Sequence, residues 1–172
     1  LLNRPVSIAL PEDGKAVFVV DADANKIVAF DREGEETAWF PLPRELTQPA
    51  SIVVAHNQVQ VLGSFLHIAG EFSPSGTYRG HVDWDGVRRP GAFTYDPVKK
   101  RYFVTDLSLM IVKVFGEDGN LIAAFGQRGE QVDQMERVDS IYVDREGAVY
   151  LTDSLHGKVL VFAERTGAER VP

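Results

Sequence analysis

Ser140-Ile141-Tyr142-Val143-Asp144-Arg145-Glu146-Gly147-Ala148-Val149-Tyr150-Leu151-Thr152-Asp153 is the stretch that decides the fold. Ser140–Val143 reads as a short strand, and Asp144–Gly147 is a run of turn formers. Val149–Thr152 is rich in the β-branched and aromatic residues that strands prefer. Asp153 ends this apolar run, Phe162 follows nine positions later, and Gly167 five after that.

Working outward, the same figure recurs three times toward the N-terminus. Asp106 leads to Phe115 and Gly119, Gly63 to Phe72 and Gly76, and Asp21 to Phe30 and Gly34, with offsets of nine and then four. The upstream side agrees: Pro5-Val6-Ser7-Ile8, Pro49-Ala50-Ser51-Ile52 and Pro90-Gly91-Ala92-Phe93 match Val138-Asp139-Ser140-Ile141. The anchors Asp21, Gly63, Asp106 and Asp153 are 42, 43 and 47 residues apart. Offsets kept over four units mean an internal repeat.

Each unit predicts four short strands. A second strand is expected at Val17–Val20, Val59–Leu62, Tyr102–Thr105 and Val149–Thr152, and a third at Ile27–Phe30, Ile68–Phe72, Val112–Phe115 and Val159–Phe162. The fourth is clear only at Leu121–Phe125. Helical periodicity is absent, and Gln131–Arg137 reads as a long loop. A repeat of 40 to 45 residues with four strands predicts an all-β fold, a β-propeller of four-stranded antiparallel blades. The whole chain, 1–172, is then one domain, with blades near 4–43, 46–84, 88–129 and 136–172.

Composition bounds the function. The net charge is −7, which argues against nucleic acid and anionic membrane as general partners. Without cysteine there is no disulfide, thiolate metal site or cysteine nucleophile. Apolar runs such as Met110–Phe115 are too short to insert in a bilayer.

No catalytic set assembles. Asp21, Asp23 and Asn25 start like a calcium loop, but Lys26 and Arg32 stand where Gly and Glu are needed. The recurring Asp reads instead as a local acceptor for backbone amides. His56, His67, His81 and His156 lack zinc spacing, and His56 reads as a solvated turn residue. No cofactor or metal ligand set is expected.

Two sets of residues point to binding. Arg4, Arg89 and Arg137 each precede the first strand of a unit, so they should recur at one height around the ring. Such a trio can clamp an anion or acidic peptide, or form a repeated salt bridge to the neighbouring blade's Asp. The second-to-third-strand loops hold Phe65, Leu66, Leu107, Leu109, Met110 and Leu155, on the same face, and Trp84 lies in the loop entering the third unit. These apolar groups are expected either to anchor a protein or peptide partner or to fill gaps between blades.

The run Phe125-Gly126-Gln127-Arg128-Gly129, with Arg137, Ser140–Asp144, Glu146-Gly147, Val149–Ser154 and Lys158–Phe162, resembles the NHL repeat. Val138 replaces the usual Pro, Asp133 the usual Gly, and Gly63 the usual Asp. The resemblance implies a propeller, usually six-bladed, so that this chain reads as a piece with two blades beyond it; closure of the four blades as a ring is the alternative. It also implies a role as a protein binder, an RNA binder or, in a few members, a lyase. The expected function is thus a non-enzymatic binding scaffold. The alternative is a metal-dependent propeller enzyme, of lyase or lactonase type, with its site at the channel mouth. Bacterial relatives are often exported, which implies an extracytoplasmic setting.

Overall fold

The computed structural model describes residues 2–64 and 67–163, which form four antiparallel sheets. The first holds β1 (Pro5–Ala9), β2 (Val17–Asp21), β3 (Lys26–Phe30) and β4 (Glu36–Pro41). The second holds β5 (Pro49–Ala55), β6 (Gln58–Gly63), β7 (Ile68–Phe72) and β8 (Tyr78–Asp83). The third holds β9 (Pro90–Asp96), β10 (Arg101–Asp106), β11 (Ile111–Gly116) and β12 (Leu121–Phe125). The fourth holds β13 (Val138–Val143), β14 (Val149–Asp153) and β15 (Lys158–Phe162). A fourth strand expected in that unit lies outside the described residues, as do Phe65 and Leu66. Each sheet is a simple meander, and the inner strands stack in order, β1 on β5, β5 on β9 and β9 on β13. These are the blades of a β-propeller.

The repeat residues now have physical reasons. In the first three units the third strand turns into the fourth through Gly34, Gly76 and Gly119, at φ of 89°, 87° and 78°. Their amides donate to the carbonyls of Asp31, Ser73 and Gly116, and a side chain there would be strained. One residue between first-strand anchors is bulged in every blade: the register shifts between Pro5 and Ser7, between Pro49 and Ser51, opposite Val104 and Asp106, and between Val138 and Ser140. The small Ser beside it allows close approach, and the Ser7 hydroxyl accepts the Ile52 amide of the next blade at 3.2 Å.

The recurring Phe plugs the gap between consecutive blades. Phe72 lies 5.9 Å from Phe40 of the outer strand before it, and Phe162 lies 5.0 Å from Phe125. Phe115 shares a buried cluster with Val82. Three such clusters exist among the described residues, bridging blades one and two, two and three, and three and four.

Blade two lacks the anchor Asp, and Leu46 takes over. The chain enters β5 through a 3-10 turn, Arg44–Leu46, whose Leu46 is fully buried. A Cβ on Gly70 would stand 2.1 Å from Leu46 Cδ1, so Gly70 is the cradle for this side chain. Gly70→Ala should therefore cost about 1–3 kcal/mol by overpacking. The cost should shrink in a Leu46→Ala background, giving a coupling of about 1 kcal/mol in a urea double-mutant cycle. Strict additivity would mean that Leu46 does not occupy the cradle.

Candidate functional site

At one end of the blades a carboxylate holds the entry to the inner strand. Asp21 accepts the amides of Asn3 at 2.7 Å and Arg4 at 2.9 Å. Asp106 accepts those of Arg88 at 3.1 Å and Arg89 at 3.4 Å, and Asp153 those of Glu136 at 3.0 Å and Arg137 at 3.2 Å. In return, Ala22, Leu107 and Ser154 donate their amides to the carbonyls of Arg4, Arg89 and Arg137. Ser64 does the same to Gln48, which occupies the equivalent position in blade two.

All three Asp side chains are buried. Burial pushes their carboxyls up, but the hydrogen bonds together outweigh it. Asp21 is held below its ordinary value, and Asp106 and Asp153 at about 2. Asp106 has further partners in the Ser108 hydroxyl at 2.6 Å and the Lys113 ammonium at 3.0 Å. Lys113, itself buried, also donates to the Gly86 carbonyl. His156 Nδ1 lies 3.0 Å from Asp153 Oδ2.

The latches thus place the backbones of Arg4, Arg89 and Arg137 at equivalent positions, and all three residues are exposed. Among the described residues no repeated salt bridge runs from these arginines to the next blade's Asp. Arg4 reaches Asp23 of its own blade at 2.6 Å, and Arg137 approaches Asp139 at 3.7 Å. Leu109 and Leu155 are exposed on the same end. Leu107 is half-buried, its side chain over Gly91.

Trp84 and Met110 do not belong to this surface. Trp84 is fully buried, 5.3 Å from Phe93, 5.5 Å from Tyr102 and 6.3 Å from Phe115. Met110 is buried between blades three and four, with φ of 54°. Both fill gaps between blades, the structural alternative to anchoring a partner.

The opposite end carries a cluster that the sequence did not announce. His56 and Asn57 form a two-residue turn with φ of 52° and 56°, as a tight hairpin requires. His56 Nε2 lies 3.1 Å from Glu117 Oε1, and the Tyr95 hydroxyl donates to the same oxygen at 2.5 Å. Burial, then the Glu117 bond and charge, push the Tyr95 hydroxyl up, so it remains a donor. Gln60 Nε2, fully buried, donates to Tyr102 at 2.9 Å and Glu71 at 2.7 Å. His56, Tyr95 and Glu117 line a cavity of about 750 Å³ together with Lys100, Tyr142 and Arg145. It sits at the turn end of a groove of about 580 Å³ walled by all four inner strands. These residues are far apart in sequence and come together because they stand on strand ends and turns at the same end of successive blades.

Among the described residues no group of three or more His, Asp or Glu side chains is placed to hold a metal ion. His67 lies 3.4 Å from Asp83, and His156 is engaged by Asp153, so the two are not brought to one centre. Among the described residues no helix is long and apolar enough to cross a membrane.

Four sequential meander blades around a groove define a protein of the β-propeller class. Solved structures agree on the fold. A streptogramin B lyase superposes with a TM-score of 0.66 at 17% identity, over 94% of this chain and 55% of its own. Virginiamycin B lyase from Staphylococcus aureus gives 0.65 at 12% identity, over 95% and 56%. Kuenenia stuttgartiensis hydrazine synthase gives 0.64 at 14%, over 95% and 50%. The chain spans about half the length of these solved chains. No protein-family model matches the chain, nor does any curated protein.

Proposed function

We propose that the chain is a non-enzymatic binding scaffold whose latched end takes an acidic protein or peptide segment. One observation carries this reading: Arg4, Arg89 and Arg137 are exposed, and the backbone amide of each is fixed by a buried carboxylate. Backbones fixed in this way bring guanidinium groups, which suit carboxylates, to equivalent places on one rim. The exposed Leu109 and Leu155 beside them supply apolar contact. The likeness of the repeat to NHL units, which include protein binders, supports the same reading. RNA as the partner is disfavoured by the net charge of −7.

The test begins by selecting binders from a displayed library of acidic peptides carrying Leu or Phe. Calorimetric titration of a selected peptide should then show at least a tenfold loss of affinity in Arg89→Ala/Arg137→Ala, about 1.4 kcal/mol. Affinity in the parent chain should fall as salt is raised. Equal affinity in parent and variant would remove these arginines from the site.

A second reading, a metal-dependent propeller enzyme of lyase or lactonase type, draws on the cluster of His56, Tyr95 and Glu117 at the cavity mouth. A His oriented by a carboxylate is competent for proton transfer. Two of the similar structures are lyases, although at their identities the likeness extends to fold alone. Elemental analysis of the purified protein separates the readings: stoichiometric metal favours the enzyme, and a metal-free, peptide-binding chain favours the scaffold.

A further inference from the structure

One backbone position recurs at the latched end of every blade. Its carbonyl accepts the amide that follows the anchor residue: Arg4 from Ala22, Gln48 from Ser64, Arg89 from Leu107 and Arg137 from Ser154. All four residues are exposed, but they differ in what the side chain already meets. Arg4 Nε reaches Asp23 Oδ1 at 2.6 Å, and Arg137 Nε lies 3.7 Å from Asp139 Oδ1. Gln48 leaves blade two without a cation. Arg89, and Arg88 before it, have no carboxylate partner among the described residues.

The difference has an energetic meaning. Both side chains of the Arg4–Asp23 pair are more than half exposed, at 55% and 57%. Solvent and salt screen such a pair, and it adds little to the stability of the fold. It does satisfy Arg4. A carboxylate arriving from outside must displace Asp23, so one ion pair is traded for another with little net gain. At Arg89 the same carboxylate displaces no protein group. Blade three also ties the amides of both Arg88 and Arg89 to Asp106, and its loop between β10 and β11 leaves Leu109 exposed. One blade thus supplies two guanidinium groups on a fixed backbone and an apolar side chain.

We infer that blade three is the primary subsite for an acidic segment, and that Asp23 and Asp139 are internal competitors for the arginines on either side of it. This rests on the binding role proposed above for the latched end. The competitors set selectivity. A segment with a single carboxylate is held at Arg89, with its apolar side chain against Leu109. Arg4 and Arg137 add affinity only where further carboxylates of the ligand replace Asp23 and Asp139. Asp139 stands at the longer distance and is the weaker competitor.

The probe is a synthetic peptide of Glu residues carrying one Leu, titrated calorimetrically into the intact chain. Arg89→Ala should weaken binding about fivefold, and Arg4→Ala less than about twofold. Asp23→Asn should tighten binding about threefold, the worth of an exposed ion pair, and Asp139→Asn by less. In an Arg4→Ala background the gain from Asp23→Asn should vanish, which separates competition for Arg4 from a general loss of negative charge. Asp133→Asn controls for charge alone: Asp133 is exposed in the connection between β12 and β13, at the same end, and should leave affinity nearly unchanged. Asp23 and Asp139 are exposed, and matching melting curves check that every variant is folded. A gain that survives in the Arg4→Ala background, or that Asp133→Asn reproduces, overturns the competition. Equal losses in Arg4→Ala and Arg89→Ala overturn the priority of blade three. Affinity that needs the arginines but ignores Asp23→Asn and Asp139→Asn overturns the inference and leaves the binding role standing. Absence of binding by both the parent and the Asp23→Asn/Asp139→Asn variant overturns the binding role itself, and the inference with it.

Discussion

Asp106→Ala should lower the unfolding free energy by about 3–5 kcal/mol, the cost of breaking a buried ion pair from one side. The carboxylate has no exposed surface and holds the Arg88 and Arg89 amides, the Ser108 hydroxyl and the Lys113 ammonium. Its removal leaves Lys113 charged and buried, with the Gly86 carbonyl as its remaining hydrogen-bond partner among the described residues. It also frees two amides at the entry to β9. A melting temperature lower by about 10 °C is expected, taking about 2–4 °C per kcal/mol for a chain of this size. It should be read at one protein concentration, since association would shift it. Asp106→Asn keeps the shape and should lose less. An alanine variant within 1 °C of the parent would mean that the latch contributes nothing net.

The same carboxylates set the acid response. Asp106 and Asp153 titrate at about 2 in the fold, against an ordinary value of 3.8. A depressed folded value means that the ionised form stabilises the fold. That contribution is complete above the ordinary value and is lost as pH falls through about 2. Urea midpoints should thus be level above pH 5 and drop steeply below pH 4, and Asp106→Asn should flatten the drop.

The second large effect is at Trp84. Trp84→Ala should cost about 3–5 kcal/mol, because it empties the space shared with Phe93, Tyr102 and Phe115 between blades two and three. Trp84→Phe should cost much less: it keeps an aromatic ring there and deletes an indole N–H that has no partner among the described residues. A partner-binding Trp would behave in the opposite way, leaving stability untouched and removing affinity. Guanidinium unfolding of both variants, set beside peptide titration, separates the roles. Near-parental stability in Trp84→Ala would return the residue to the surface set.

Much of the fold was legible because repetition supplies its own control. The offset of nine from Asp to Phe spans a second strand's end, a short loop and a third strand, and so marks a blade whatever else changes. The fourth strands were hard to read at Glu36–Pro41 and Tyr78–Asp83 because outer strands face solvent and tolerate polar residues. Leu46 and Met135 went unnoticed for another reason. Both lie in connections, and both are buried only because a glycine elsewhere leaves room. Met135 Cε would stand 2.2 Å from a Cβ on Gly126.

Sequence alone determined the blade count in this chain, the strand order within each blade and the local role of the recurring Asp. These follow from short-range pairing and turn chemistry, which neighbouring residues dictate. Tertiary structure alone decided which side of each blade a loop residue meets. It sent Trp84 and Met110 into the gaps between blades and left Leu109 and Leu155 in solvent, although all four are apolar and stand in loops. It also brought His56 and Tyr95 to one oxygen of Glu117. Those outcomes depend on how one sheet meets the next, and no local pattern encodes the partner across that gap.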